Sequence, residues 1–126
     1  MKFGHIGIAC RDILNCIEFL KSIVEIDSIS EQIYDKNQDA VVCMIKTKDG
    51  LNIELISGNK VKNIVNKGIT YYHLCYKVDD INKYIDYFVE KNCVILSKPQ
   101  EAVLFDNNKV AFIYTPLGLI ELLEEK

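Results

Sequence analysis

The chain contains no apolar run long enough to cross a bilayer as a helix, and its start, MKFGHIGIACRD, turns polar too early for a secretory signal. A soluble, cytoplasmic protein without a membrane partner is therefore expected. Excess charge is lacking too. Fifteen Lys and Arg stand against 18 Asp and Glu, giving a formal charge of −3. The basic residues are scattered, which argues against nucleic acid or an acidic membrane as partner. Paired cysteine motifs are absent: Cys10, Cys16, Cys43, Cys75 and Cys93 are odd in number, show no C-x-x-C spacing and sit among apolar residues. They read as reduced core thiols in a reducing compartment. Only Cys10, next to Arg11, has a cationic neighbour that favours a nucleophile, and the core role remains the simpler reading. Low-complexity sequence is missing as well, and histidine is scarce, with two in the whole chain.

Those two histidines sit at equivalent places in an internal repeat. FGHIGIACRDILNCIEFL surrounds His5, and YYHLCYKVDDINKYIDYF surrounds His73. A shift of 68 superposes His5 on His73, Asp12 on Asp80, Ile13 on Ile81 and Ile17 on Ile85. It also carries Val42 onto Val110, Thr47 onto Thr115 and Gly50 onto Gly118. With one residue dropped, GLNIELI meets GLIELL, which aligns Glu54 with Glu121. Length and a 49% hydrophobic content allow one domain with a real core, whereas a copy of about sixty residues is marginal by itself. The division expected is a first module at 1–57, a linker at 58–70 and a second module at 71–126, within a single domain.

Each half reads as βαβββ, an α+β pattern. Residues 2–10 alternate between a small-residue face with Phe3, His5, Gly7 and Ala9 and a bulky face with Ile6, Ile8 and Cys10. The bulky face should meet a helix, leaving space beside His5. In the second half Tyr71, His73, Cys75 and Lys77 share one face, opposite Tyr72, Leu74, Tyr76 and Val78. Asp12, and Asp79 or Asp80, are placed to cap the helices that follow. Apolar residues recur at helical spacing as Ile13, Ile17, Leu20 and Val24, then as Ile81, Tyr84, Ile85, Phe88 and Val89. Asn92 suits a helix terminus and 94–96 a short strand. Residues 40–47 and 109–115 are strand-like, and each leads through a glycine-containing turn into a strand bearing a glutamate. The stretch 58–70 is rich in Asn, Lys and Gly and reads as a solvated linker, with Val61, Ile64 and Val65 able to form a helical turn.

Glutamate is depleted in strands, and an ionised carboxylate on a covered face is costly without a partner. Taken singly, Glu54 fits an exposed face, Glu121 an acidic tail, and each histidine a hydrogen-bonded core position. Taken as two equivalent pairs, they gather four ligands about one pseudo-symmetry axis if the halves form one curved mixed sheet. Two imidazoles and two carboxylates suit Zn²⁺, Ni²⁺, Co²⁺, Mn²⁺ or Fe²⁺.

The residues His5-Ile6-Gly7-Ile8 with Asp12, the strand Ile53-Glu54-Leu55, the segment Tyr72 to Ile81, and Lys109 to Ile113 leading to Gly118-Leu119-Ile120-Glu121-Leu122 together resemble the vicinal oxygen chelate superfamily over essentially the full length. The resemblance implies the glyoxalase fold, two βαβββ modules in tandem forming a cup around a divalent metal held by His5, Glu54, His73 and Glu121. It also implies open metal positions for vicinal substrate oxygens, and a homodimer. The activity implied is that of a lyase or isomerase moving a proton next to a metal-bound carbonyl, with Glu54 or Glu121 as catalytic base. Two members fit, leaving a thioester or a hemithioacetal as substrate. Methylmalonyl-CoA epimerase is favoured slightly by the His73 to Ile81 segment and the strand at 109–113. Lactoylglutathione lyase is favoured by the complete ligand set but expects an arginine where Ala9 stands, with Arg11 nearby. The epimerase expects a further carboxylate, for which 34–40 offers only Asp35 and Asp39. The alternative is a small-molecule (antibiotic) binding or resistance protein of the same fold.

Overall fold

The computed structural model describes residues 1–126. The chain forms two compact units, one of His5–Tyr72 and the other of Met1–Gly4 with His73–Lys126. The architecture is α+β, with three α-helices and ten strands.

In the first unit, strand β1 (Lys2–Ala9) buries His5, Gly7 and Ala9 on one face and presents Ile6 and Ile8 to the core on the other. That core is built with helix α1 (Ile13–Ile23), whose Ile13 and Ile17 pack with Cys10, Cys43, Ile45, Ile53 and Leu55. Asp12 starts the helix: its Oδ1 accepts from the amides of Leu14 at 2.9 Å and Asn15 at 3.3 Å. Losing such a cap costs about 1 kcal/mol. Asp12→Ala is therefore expected to lower the thermal midpoint by roughly 3–5 °C for a domain of this size. Melting followed by circular dichroism checks it, and an unchanged midpoint would deny the cap its role. The apolar stripe ends before Val24, which is extended at φ −139° and 36% exposed. There the chain leaves the helix for strand β2 (Ile26–Ile29).

Strands β3 (Ile33–Asp35), β4 (Ala40–Thr47) and β5 (Asn52–Gly58) complete the layer, in the order β2-β4-β5-β1 with β3 also on β4. Strand β4 is antiparallel to β5, and β5 runs parallel to β1, so the pairing is mixed. The stretch read as a solvated linker carries helix α2 (Asn59–Asn66), with Val61 and Val65 buried. Gly58 makes the junction possible. Its φ is +145°, and a Cβ there would lie 2.9 Å from Ala40 Cα and Asp39 O, a place only glycine occupies without strain. Gly68 ends the helix at φ +79°, its amide donating to Val65 O while that of Ile69 donates to Ile64 O.

The second unit repeats the scheme with strand β6 (Tyr71–Val78), helix α3 (Ile81–Glu90), and strands β7 (Val94–Ile95), β8 (Gln100–Ala102), β9 (Asn108–Thr115) and β10 (Gly118–Glu124). The order is β6-β10-β9-β7 with β8 also on β9; β6 and β10 are parallel, the rest antiparallel. Asp80, rather than Asp79, caps α3 through Lys83 N at 3.2 Å, and Glu124 Oε2 accepts from Ile81 N at 2.9 Å. Ile81 and Phe88 are buried, but Val89 is 52% exposed. One residue of helix turns the side chain by about 100°, so Phe88 and Val89 do not share a face. Asn92, at φ +64°, closes the helix as Gly68 closes α2, with Cys93 N donating to Phe88 O at 3.0 Å.

The two hairpin turns share a threonine and a glycine of positive φ but differ in length and in which amide the threonine holds. Leu51 N donates to Thr47 Oγ1 and Leu117 N to Thr115 Oγ1, each at 3.0 Å, while Gly50 and Gly118 take φ of +95° and +91°. No helix is long and apolar enough to cross a membrane.

Candidate functional site

Register places the histidine and glutamate of each unit by the same construction. In the first, Gly7 on β1 lies opposite Glu54 on β5, and His5 precedes Gly7 by two residues on the same face. In the second, Cys75 on β6 lies opposite Glu121 on β10, and His73 precedes Cys75 by two. Gly7 has no side chain and Cys75 a small one, so each imidazole leans diagonally toward its glutamate. His5 Nε2 lies 3.5 Å from Glu54 Oε1, and His73 Nε2 lies 3.4 Å from Glu121 Oε1.

All four side chains are buried, with both glutamates only 1% exposed, in a position that is costly for an uncompensated carboxylate. The chain thus carries four buried His and Glu residues able to hold a metal ion. The separations within each pair test that fit. They exceed the usual N–H···O hydrogen-bond range of about 2.7–3.2 Å. They match the roughly 3.4 Å expected between two donors each about 2.1 Å from one ion at a tetrahedral angle. Imidazole nitrogen with carboxylate oxygen is also the donor chemistry of borderline divalent ions. The residues fit such an ion.

His73 has an aromatic neighbour on its own sheet. Phe112, directly across from Glu121 in the β9–β10 register, sets its ring edge-on to the imidazole, with centroids 5.5 Å apart and planes at 81°. Its counterpart by the shift of 68 is Met44, which lies directly across from Glu54. From sequence Met44 reads as an ordinary strand position, and Phe112 as part of the motif at 109–113 with no role of its own. Extending the repeat comparison by one residue of offset would have brought out Ser30 and Ser97 as well. Their hydroxyls accept from Met44 N at 2.8 Å and Phe112 N at 2.9 Å.

Other residues singled out by sequence have structural work. Arg11 lies beyond the end of β1 and donates from Nη1 to Asn66 Oδ1 at 3.0 Å. Burial, with Cys16 as the next cause, pushes the Cys10 thiol up to about 12, and its Sγ donates to Ile56 O at 3.5 Å. A thiol so raised stays protonated and is a poor nucleophile. Asp35 is buried and accepts from Asn37 N and Gln38 Nε2, each at 2.9 Å. Asp39 accepts from the Tyr34 hydroxyl at 2.7 Å and from Asn59 Nδ2 at 3.0 Å. The Tyr34 hydrogen bond, followed by that from Asn59, holds the Asp39 carboxyl below its ordinary range. Both aspartates tie down the β3–β4 turn.

Among curated protein sequences none matches the chain. Solved structures do. A hypothetical protein of Bacillus halodurans superposes with a TM-score of 0.75 at 21% identity, over 99% of this chain and 94% of that one. A methylmalonyl-CoA epimerase of Mycobacterium tuberculosis gives 0.82 at 18% identity, over 99% and 88%. A Streptomyces coelicolor methylmalonyl-CoA epimerase variant in complex with 2-nitronate-propionyl-CoA gives 0.74 at 19%, over 99% and 97%. At these identities the likeness establishes the fold alone, and it is the glyoxalase fold that the family resemblance implied. The profile of the Glyoxalase/Bleomycin resistance protein/Dioxygenase superfamily matches residues 4–112, and with that span covered the chain belongs to this superfamily.

Proposed function

We propose that the chain is a divalent-metal-dependent isomerase that moves a proton at the carbon next to a carbonyl, of the methylmalonyl-CoA epimerase type. His5 and His73, through Nε2, and Glu54 and Glu121, through Oε1, would hold the metal. The observation that carries this reading is the duplicated pair: a buried histidine and glutamate 3.5 Å and 3.4 Å apart, built by the same register in each unit. The epimerases among the fold relatives support a CoA thioester as substrate class.

The metal, when bound, supplies Lewis acidity to the substrate carbonyl and compensates the negative charge that develops on its oxygen. The chain's own contribution is proton transfer. Inversion at a carbon needs an acid and a base on opposite faces. Glu54 and Glu121 would take the two roles, a reading supported by the engagement of Asp35 and Asp39 in the β3–β4 turn. Strand burial keeps bulk water from both carboxylates. The lactoylglutathione lyase type fits less well, because Ala9 offers no cation and Arg11 is held by Asn66.

The test pairs metal analysis of the purified protein with two assays. Solvent deuterium entry into methylmalonyl-CoA is followed in parallel with turnover of the methylglyoxal–glutathione hemithioacetal. Bound divalent metal together with exchange in the thioester is the expected result. Exchange only in the hemithioacetal shifts the reading to the lyase, and a protein holding metal with exchange in neither points to small-molecule binding.

A further inference from the structure

The residues directly beside the two glutamates are where the halves part company. Residues directly opposite in an antiparallel pair point to the same face, with Cβ atoms about 4.5–5.5 Å apart. Met44 therefore stands beside Glu54, and Phe112 beside Glu121 and His73. Both are only partly buried, unlike the glutamates they flank. Neither side chain carries charge or a hydrogen-bond donor. Their places are fixed by matching clasps. Ser30 accepts from Met44 N and returns its own amide to Met44 O at 2.8 Å; Ser97 accepts from Phe112 N, while Leu96 N donates to Phe112 O at 2.8 Å. Two positions on along the same faces, Val42 and Val110 are buried and apolar; in the other direction stand Lys46 and Tyr114, both solvent-exposed.

We infer that Met44 and Phe112 form the walls that select the remaining substituent of the proton-losing carbon, the one that does not offer an oxygen to the metal, and that this substituent is uncharged and apolar, a short alkyl chain or an aryl ring. The inference rests on the proposed metal site and narrows its substrate class. Exposure to water leaves Lys46 with little hold on a charged group. Methionine contributes an adaptable wall because its side chain is flexible and polarisable. Phenylalanine contributes a rigid one, with its edge turned to His73. Such a site tolerates variation in length against Met44 and reads flatness against Phe112.

Hydroxamates present two vicinal oxygens to a metal and leave one variable group, so they probe this without turnover. The Zn²⁺-loaded protein is titrated by calorimetry with acetohydroxamate, hexanohydroxamate, benzohydroxamate and the carboxylate-bearing succinohydroxamate, with zinc content measured alongside. The expected result is that the hexano and benzo ligands bind at least tenfold more tightly than the aceto and succino ligands. Phe112→Leu is expected to remove most of the benzo preference, and Met44→Ala most of the hexano preference, each at unchanged zinc stoichiometry. Equal binding of all four by the unsubstituted protein overturns the inference and leaves the metal site standing, whether or not the variants fold. Failure to hold zinc overturns both.

Discussion

Glu54→Gln and Glu121→Gln are each expected to slow epimerisation by about 10²–10⁴-fold, the usual contribution of a positioned acid or base. The amide keeps the shape of the side chain and an oxygen to offer the metal, but it cannot accept the substrate's proton. The informative readout is the split between exchange and inversion. With one carboxylate left, deuterium should still enter the stereoisomer whose proton faces that group, while conversion to the other isomer stops. The two variants should therefore show opposite preferences when each isomer of the thioester is supplied separately in deuterated water. Retention of full inversion by either variant, within about threefold, would sink the assignment of proton transfer to that residue.

Stripping the metal with a chelator is expected to lower the thermal midpoint by roughly 12–20 °C. The estimate follows from linkage. A ligand present at 1,000 times its dissociation constant stabilises the fold by about 4.1 kcal/mol, and for a chain of this length each kcal/mol moves the midpoint by about 3–5 °C. The physical source is the burial of Glu54 and Glu121, both 1% exposed, which remain near-dry carboxylates when the ion is taken away. Calorimetry before and after chelation, with zinc, nickel, cobalt or manganese returned singly, measures the effect and ranks the ions. A shift under about 2 °C with every ion would mean that none of them binds where these side chains are buried.

Much of this was legible from the order of residues, for a physical reason. Duplication makes each weak signal appear twice, so His5 with His73 and Glu54 with Glu121 stood out where single residues would not. Caps were legible because Asp12 and Asp80 act on amides two or three residues away. Of the short strands β7 was expected at 94–96, whereas β2 is mostly exposed and only four residues long, so no period-2 burial pattern announces it. Helix α2 showed only as a possible turn at Val61, Ile64 and Val65, because two valines one turn apart are all it buries. Val24 and Val89 were assigned to apolar stripes that the structure ends or turns away, which periodicity alone does not reveal. Met44 and Phe112 were missed because their importance lies in what they face across the sheet, a matter of register and not of local composition.

The strand order of the second unit has a consequence for how that unit is made. Strand β10 comes after every other strand of the unit in the chain, yet it lies between β6 and β9. The earlier strands cannot close on one another; they must wait, with two edges open, for the final segment to enter between them. Pairings so distant in sequence are slow to form, and waiting edges invite association with other chains. The same late arrival brings Glu121 to His73 and the Glu124 carboxylate to the first amide of α3. Ligand pair and closed sheet therefore both require this last segment, and a chain that stops before β10 has no half-site in this unit to hold a metal.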